Sequence, residues 1–385
     1  MRMFFNGQRL KEARIFRNMS MTELASKVGV KKQAISQFEN NLARPKPETE
    51  FAIVGALSFP RTYFYQKSEN IAVNNTFFRA LSSTNALDKK TQEVKTKLVV
   101  QIYNFLCEYL EMPILNLPNL DSFKGDIETQ AMSLRAYWNI GEKPIANMVE
   151  LIEHNGIIVS AFDVDSDKID AFTQVHNIST YPQYCVVLGN NKKSAVRRNF
   201  DVAHELGHII LHSNIENLEE LSLEQQKELE TEANQFASTF LMPQNAFYND
   251  LIKANDLRTY VELKKEWHVS IAAMLIRAKT LGRINIKEYQ SLMKSMSYRK
   301  WRIQEPLDDK LPLSVPTLFY SALEVLFENK IMTPQTFMEH LSNYGLAIYS
   351  NDLETLLSLP KGTLTVSDNY NMTKPIINIK SSHNC

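Results

Sequence analysis

The sequence is poor in cysteine. Its 385 residues hold three, Cys107, Cys185 and Cys385, far apart and odd in number. Such spacing supports neither a disulfide framework nor a metal-ligand cluster, and it suits small buried side chains in a reducing cytoplasm. Net charge is missing as well, because 43 Lys and Arg balance 43 Asp and Glu. No global field draws a polyanion to the chain, so any contact with nucleic acid has to come from a local basic region. No apolar run approaches the roughly 18 residues of a membrane-spanning helix, so a membrane partner is not expected. The apolar run in residues 1–7 is too short for a signal peptide. Internal repeats and low-complexity tracts are absent. The rest of the composition, 44% hydrophobic and 22% charged, is that of a soluble globular protein, and the length implies two or three domains.

What is present is concentrated in His204, Glu205, Leu206, Gly207 and His208. Val202 and Ala203 precede them, Ile209, Ile210 and Leu211 follow, and no proline interrupts, which predicts a buried helix. Residues four apart share a helix face, so His204 and His208 can turn two neutral imidazoles to one metal ion. Glu205 lies about 100° further round the helix, off the ligand face but within reach of a metal-bound water. Catalytic zinc takes three protein ligands and keeps a fourth position open. The spacing is that of the metallopeptidase helix, with Glu205 as general base. The plainer reading is a core helix with two incidental histidines, and the downstream sequence argues against it. An acidic stretch over residues 216–232 leads into Ala233, Asn234, Gln235, Phe236 and Ala237, a second apolar-periodic helix that stops at Pro243. Glu232, directly before that apolar face, is the expected third ligand, with Glu228 and Glu230 expected in solvent. His212 is read as the polar end of the buried helix and His176 as a solvated loop residue.

These motifs, together with Arg197, Arg198, Asn199 and Phe200 ahead of them and Leu241, Met242 and Pro243 behind, resemble the ImmA/IrrE family of metallopeptidases. The resemblance implies a small zincin-like domain that holds zinc, or alternatively manganese, through His204, His208 and Glu232, with Glu205 as catalytic base. Family members act on transcriptional repressors in stress responses or mobile-element induction, so a protein substrate of that kind is implied.

The local basic region lies at the N-terminus, where residues 1–70 carry 12 Lys and Arg against 6 Asp and Glu. Leu10, Ala13 and Ile15 start one apolar helix face. Ser20 and Glu23 form a predicted capping box that opens a second helix with Leu24, Ala25 and Val28. Gly29 ends it in a tight turn, and a further short helix from about Lys31 buries Ile35 and Phe38. Short helix, glycine turn, short helix is the helix-turn-helix arrangement. Residues 10–14, 22–25, 29–30, 34–40 and 44–45 resemble the Cro/repressor-type (XRE) family. The resemblance implies a second motif helix in the major groove of a double-stranded operator. Lys32, Gln33, Ser36 and Gln37 are expected at base edges. Lys31, Asn41, Arg44 and Arg9 are expected on phosphates, which set affinity without choosing sequence. Many relatives have a phosphate-clamping Gln where Met21 stands.

Elsewhere the patterns are plainer. Residues 66–75 read as a polar linker and residues 76–79 as a short apolar docking patch. Lys89 to Leu110 carry a helical apolar stripe, and a helix follows over Thr129 to Trp138. A helix is expected from Pro144 to Ile152, then strands at residues 157–162, 171–173 and 184–188. An edge strand near the metal helix could pair with an extended substrate. Residues 244–300 are predicted helical, and residues 307–385 a small helical unit with a strand near Leu364 and a tail of uncertain order from Lys374. The expected class is α+β, mostly α. The domains are a five-helix-type helix-turn-helix domain (1–68), a helical linker or docking segment (69–143), a zincin-like peptidase domain with a small sheet (144–306), and a C-terminal unit without assigned role (307–385). The expected protein is a cytoplasmic DNA-binding regulator, dimeric by the symmetry of helix-turn-helix operators, whose zinc-dependent endopeptidase cleaves a repressor. The alternative is a DNA-binding repressor or antitoxin-like protein whose zinc site is structural or sensory.

Overall fold

The computed structural model describes residues 4–68, 72–77, 85–120, 123–162, 171–177, 182–190, 194–215 and 221–365. The chain begins with four helices, α1 (Gly7–Phe16), α2 (Met21–Val28), α3 (Lys32–Glu39) and α4 (Pro47–Leu57), and a 3-10 helix (Arg61–Tyr65). The expected capping box is present. Ser20 Oγ accepts from the Glu23 amide at 3.2 Å, and Glu23 accepts from the Ser20 amide at 2.7 Å. Gly29, with φ of 71°, ends α2 in the left-handed conformation that a Cβ disfavours. Leu10, Ala13, Leu24 and Ile35 pack into one core, and Arg14 on α1 grips Glu39 on α3 with two bonds of 2.5 and 2.9 Å.

Then come β1 (Ala72–Phe77), α5 (Ala86–Leu106), α6 (Ile127–Tyr137), α7 (Met148–His154), β2 (Ile158–Phe162), β3 (Ala171–Asn177) and β4 (Gln183–Gly189). The strands form one sheet in the order β1-β3-β4-β2, antiparallel except for the parallel β2–β4 pair. Helices follow: α8 (Ala195–His212), α9 (Leu223–Leu241), α10 (Gln244–Asp250), α11 (Leu257–Trp267), α12 (Ile271–Thr280), α13 (Ile286–Tyr298), α14 (Leu318–Glu328), α15 (Pro334–Tyr344) and α16 (Ser350–Leu356).

Both faces of the sheet are covered, and strand alternation sorts its residues between two cores. Val159, Ala161, Val186 and Leu188 face a core built with α6 to α13. Ile158, Phe162, Phe172, Cys185 and Val187 face a second core shared by α5, the N-terminal helices and α14 to α16. The N-terminal domain is therefore docked on the rest of the chain. Glu12 binds Lys97 of α5 at 2.8 Å, Thr91 Oγ1 donates to the Ile15 carbonyl at 2.8 Å, and Arg17 holds Asp352 of α16 at 2.6 Å.

The structure departs from the sequence-based picture in several places. Gln66, expected in a free linker, donates to the Ser342 carbonyl at 2.7 Å and accepts from the Ala347 amide at 3.0 Å, and residues 72–77 form a strand. Of the docking patch, Thr76 and Phe77 belong to that strand, and residues 78–79 lie outside the described residues. Helix α6 and fully buried Arg135, placed in the linker segment by sequence, belong with the core built from α6 to α13. Arg135 ties α6 to the Phe240 carbonyl at the end of α9. The helix expected from Pro144 starts at Met148, where the Asn147 side chain caps it. His176, expected in a solvated loop, is fully buried on β3. Leu364 and Thr365 lie in a bend instead of a strand, and Val366 and the tail lie outside the described residues.

Candidate metal centre and nucleic-acid face

Helix α8 presents a column of three histidines. His204, His208 and His212 are spaced by four and almost fully buried. Helix α9 packs across α8 at Gly207, where an added Cβ would sit 3.2 Å from the Ala233 Cα and from Phe236 Cβ. That approach decides which acidic residue meets the histidines. The buried face of α9 runs through Ala233, Phe236, Ala237 and Phe240, and three residues before Ala233 it reaches Glu230.

Glu230 is thus the carboxylate at the motif. Its oxygens lie 3.3 Å from His204 Nε2 and 3.4 Å from His208 Nε2, while the two Nε2 atoms are 3.1 Å apart. All three ligand-type atoms lie within 4.8 Å of one another. Glu232, the residue expected from sequence, stands two positions on and meets His212 Nε2 at 2.9 Å. Two positions rotate a helix by about 200°, which is why the two carboxylates serve different histidines. The periodicity of Ala233 and Ala237 carried the signal for Glu230, and adjacency to the apolar run misdirected it. Glu230, expected in solvent, has a side chain only 24% exposed.

Glu205 is buried, and Thr173 Oγ1 on β3 donates to its Oε2 at 2.7 Å. Burial raises the Glu205 carboxyl to about 7, against the opposing pull of His204 and Thr173. Burial lowers His208 to about 4 and lowers His212 as well. Burial also acts to raise Glu230, but hydrogen bonds from His204 and His208 outweigh it and hold the carboxyl at about 2. The centre therefore offers two imidazoles and one carboxylate. That donor set is one that zinc hydrolases use, so the residues present fit such an ion.

The sheet edge next to this centre is covered. β1 pairs with β3 along Ala72 to Phe77, and Phe77 stands opposite Thr173.

The residues expected at nucleic acid lie elsewhere and in the opposite environment. Lys31, Lys32, Gln33 and Gln37 are exposed on or just before α3, and Ser36 is half-buried between them. Exposed Arg44 stacks on the Phe4 ring at 4.2 Å. Asn41 is exposed too, but its Oδ1 accepts from the Gly7 amide at 2.8 Å and its φ is 57°, so it also closes α3 onto α1. Arg9, expected on a phosphate, is 1% exposed and donates to Glu12 and the Gly345 carbonyl. Met21 packs against the domain core.

Comparison with known families agrees with both halves. Residues 10–64 match the helix-turn-helix family, and residues 152–279 match the IrrE N-terminal-like domain of metallopeptidases. The two matched segments are similar to an XRE-type helix-turn-helix unit and to an ImmA/IrrE-like metallopeptidase unit, joined in one chain. No curated protein matches the chain. β1, α5 and α6 lie outside the matched segments, so the peptidase sheet draws one strand from beyond its own match.

Proposed function

We propose that this chain is a sequence-specific binder of double-stranded DNA that also carries a zinc-dependent endopeptidase, and that it cleaves a repressor or another regulatory protein. The observation that carries the reading is the convergence of His204, His208 and Glu230 beside a buried Glu205 held by Thr173. His204, His208 and Glu230 would hold the ion. A bound zinc supplies Lewis acidity and brings the pKa of its water to roughly 7. Glu205 takes the proton of the attacking water and passes it to the leaving amine. Thr173 keeps Glu205 turned toward the centre, and the apolar residues of α8 and α9 keep bulk water away. An extended substrate pairing with β3 would have to take the place of β1. The exposed side chains of α3 would read the operator, with a dimer expected on a two-fold site.

The covered β3 edge favours a second reading, a DNA-binding repressor or antitoxin-like protein whose metal site is structural or sensory. One comparison separates the two. Wild type and Glu205→Gln are expressed in the same cells, and newly formed protein N-termini are compared by mass spectrometry. The peptidase reading expects termini that appear with wild type and vanish with Glu205→Gln, while zinc content and DNA binding are unchanged. Identical termini in both would leave the second reading standing.

A further inference from the structure

We propose that His212 and Glu232 form an outward relay that orients His208 for the metal, which makes Glu232 a positioning residue separated from the ion by two imidazoles. The proposal rests on the metal-site reading above.

The tautomers follow from the geometry. His208 Nε2 faces His204 and Glu230, so it is the nitrogen that would bind the ion and must be unprotonated there. A neutral imidazole then carries its proton on Nδ1. That nitrogen lies 3.0 Å from His212 Nδ1, which must accept. His212 in turn carries its proton on Nε2, and Nε2 lies 2.9 Å from Glu232 Oε2. Every donor meets an acceptor, and the polarity runs one way from the centre to Glu232. Reversing His212 would set two N–H groups face to face and aim a ring lone pair at a carboxylate.

The two histidine ligands are backed by different groups. His204 Nδ1 faces the neutral amide oxygen of Asn234, at 3.1 Å. His208 is backed through a second imidazole by a negative charge. Outer partners of this kind fix the ring orientation and raise ligand basicity, and losing one typically costs about 10–100-fold in metal affinity. The relay runs from the buried centre to the surface, because His212 is 3% exposed at its side chain and Glu232 40%.

The test uses the full chain, loaded with Zn2+ and labelled with 15N-histidine. Two-bond 1H–15N correlation spectra should show His208 protonated on Nδ1 and His212 on Nε2. Zinc affinity, from competition with a chromophoric chelator, should fall about 10–100-fold in His212→Phe. His212→Gln, which can still accept from His208, should recover part of that loss. Glu232→Gln should weaken zinc less than His212→Phe, and the double variant should be no weaker than His212→Phe alone. Apo-protein melting curves separate any loss of folding from loss of affinity. His208 protonated on Nε2, or singles whose effects multiply in the double, would overturn the relay. So would complete loss of zinc in Glu232→Gln, because Glu232 would then be a ligand. Failure of the parent reading looks different: wild type would bind no zinc, or Glu230→Gln would keep it. The relay alone fails where Glu230→Gln loses zinc while His212→Phe and Glu232→Gln bind it as wild type does.

Discussion

Helices α8 and α3 each carry the residues of one proposed activity, and they treat polar side chains in opposite ways. On α8, His204, Glu205, His208 and His212 are all buried, and each has a polar partner from α8 itself, from α9 or from β3. On α3, Lys32, Gln33 and Gln37 are exposed, and their side chains make no hydrogen bond to other described residues. Activating water calls for groups fixed and dehydrated in advance, and a buried polar group without a partner costs several kcal/mol. Reading base edges calls for donors and acceptors that the protein has left unused. The first site is therefore a property of two helices and a strand, and the second of one helix alone.

The largest break in that comparison should come from Gly207, which carries no functional group. Gly207→Val pushes two methyl groups toward the Ala233 backbone, already 3.2 Å from an ideal Cβ. Overpacking of this kind costs about 1–3 kcal/mol, more than the helix propensity that valine gains over glycine. The separation of α8 from α9 should also draw Glu230 away from the histidines. Zinc retention should fall at least about tenfold with every ligand intact, a loss the size of a missing outer partner. Thermal melting and metal analysis of the same preparation check both effects. Unchanged zinc would mean that the helix crossing does not set the site.

His176 sharpens the comparison because it is buried like the α8 residues yet has no hydrogen-bond partner for either ring nitrogen among the described residues. Burial, with Lys97 nearby, pushes it down to about 4 from 6.5. A depressed pKa means that its contribution to stability is present above about pH 6.5 and is lost as pH falls toward 4. By pH 5 the unfolded chain has taken up the proton and the folded chain has not, a loss of about 2 kcal/mol. His176→Leu should shrink the fall in stability between pH 7 and pH 5 by about that amount, read from urea unfolding at each pH. An equal fall in both proteins would show that His176 does not stay neutral in the fold.

Local patterns were legible in the sequence where local physics decided them. The Ser20 capping box, the Gly29 turn and the strands at residues 158–162 and 183–189 all depend on near neighbours in the chain. The histidine column follows from a period of four. Choices made between elements were harder to read. Glu230 and Glu232 differ only in how α9 is rotated against α8, and that rotation is set by Gly207 meeting Ala233. Arg9 looked like a phosphate contact because its burial is made by Gly345 and Lys67, far along the chain. β1 looked like linker because its pairing partner lies about a hundred residues on, and His176 looked solvated because β3 runs further than its apolar start.

The smallest expected effect tests the exposed half of the comparison. Arg44 and Asn41 were both expected on phosphates, but only Arg44 has a free charged end, resting on Phe4, whereas Asn41 is committed to the Gly7 amide. A lost phosphate contact lowers the slope of log affinity against log salt by about 0.9 and leaves the preference among sequences unchanged. Arg44→Ala should show that slope change with an unaltered melting temperature. Asn41→Ala should instead lower stability by about 1 kcal/mol, the value of one hydrogen bond, and weaken DNA binding only as far as the α1–α3 closure loosens. Salt titrations against a duplex selected from a random pool measure both. A slope change in Asn41→Ala equal to that in Arg44→Ala would mean that Asn41 reaches DNA despite its bond to Gly7, and that an inward commitment does not remove a side chain of this domain from the nucleic-acid face.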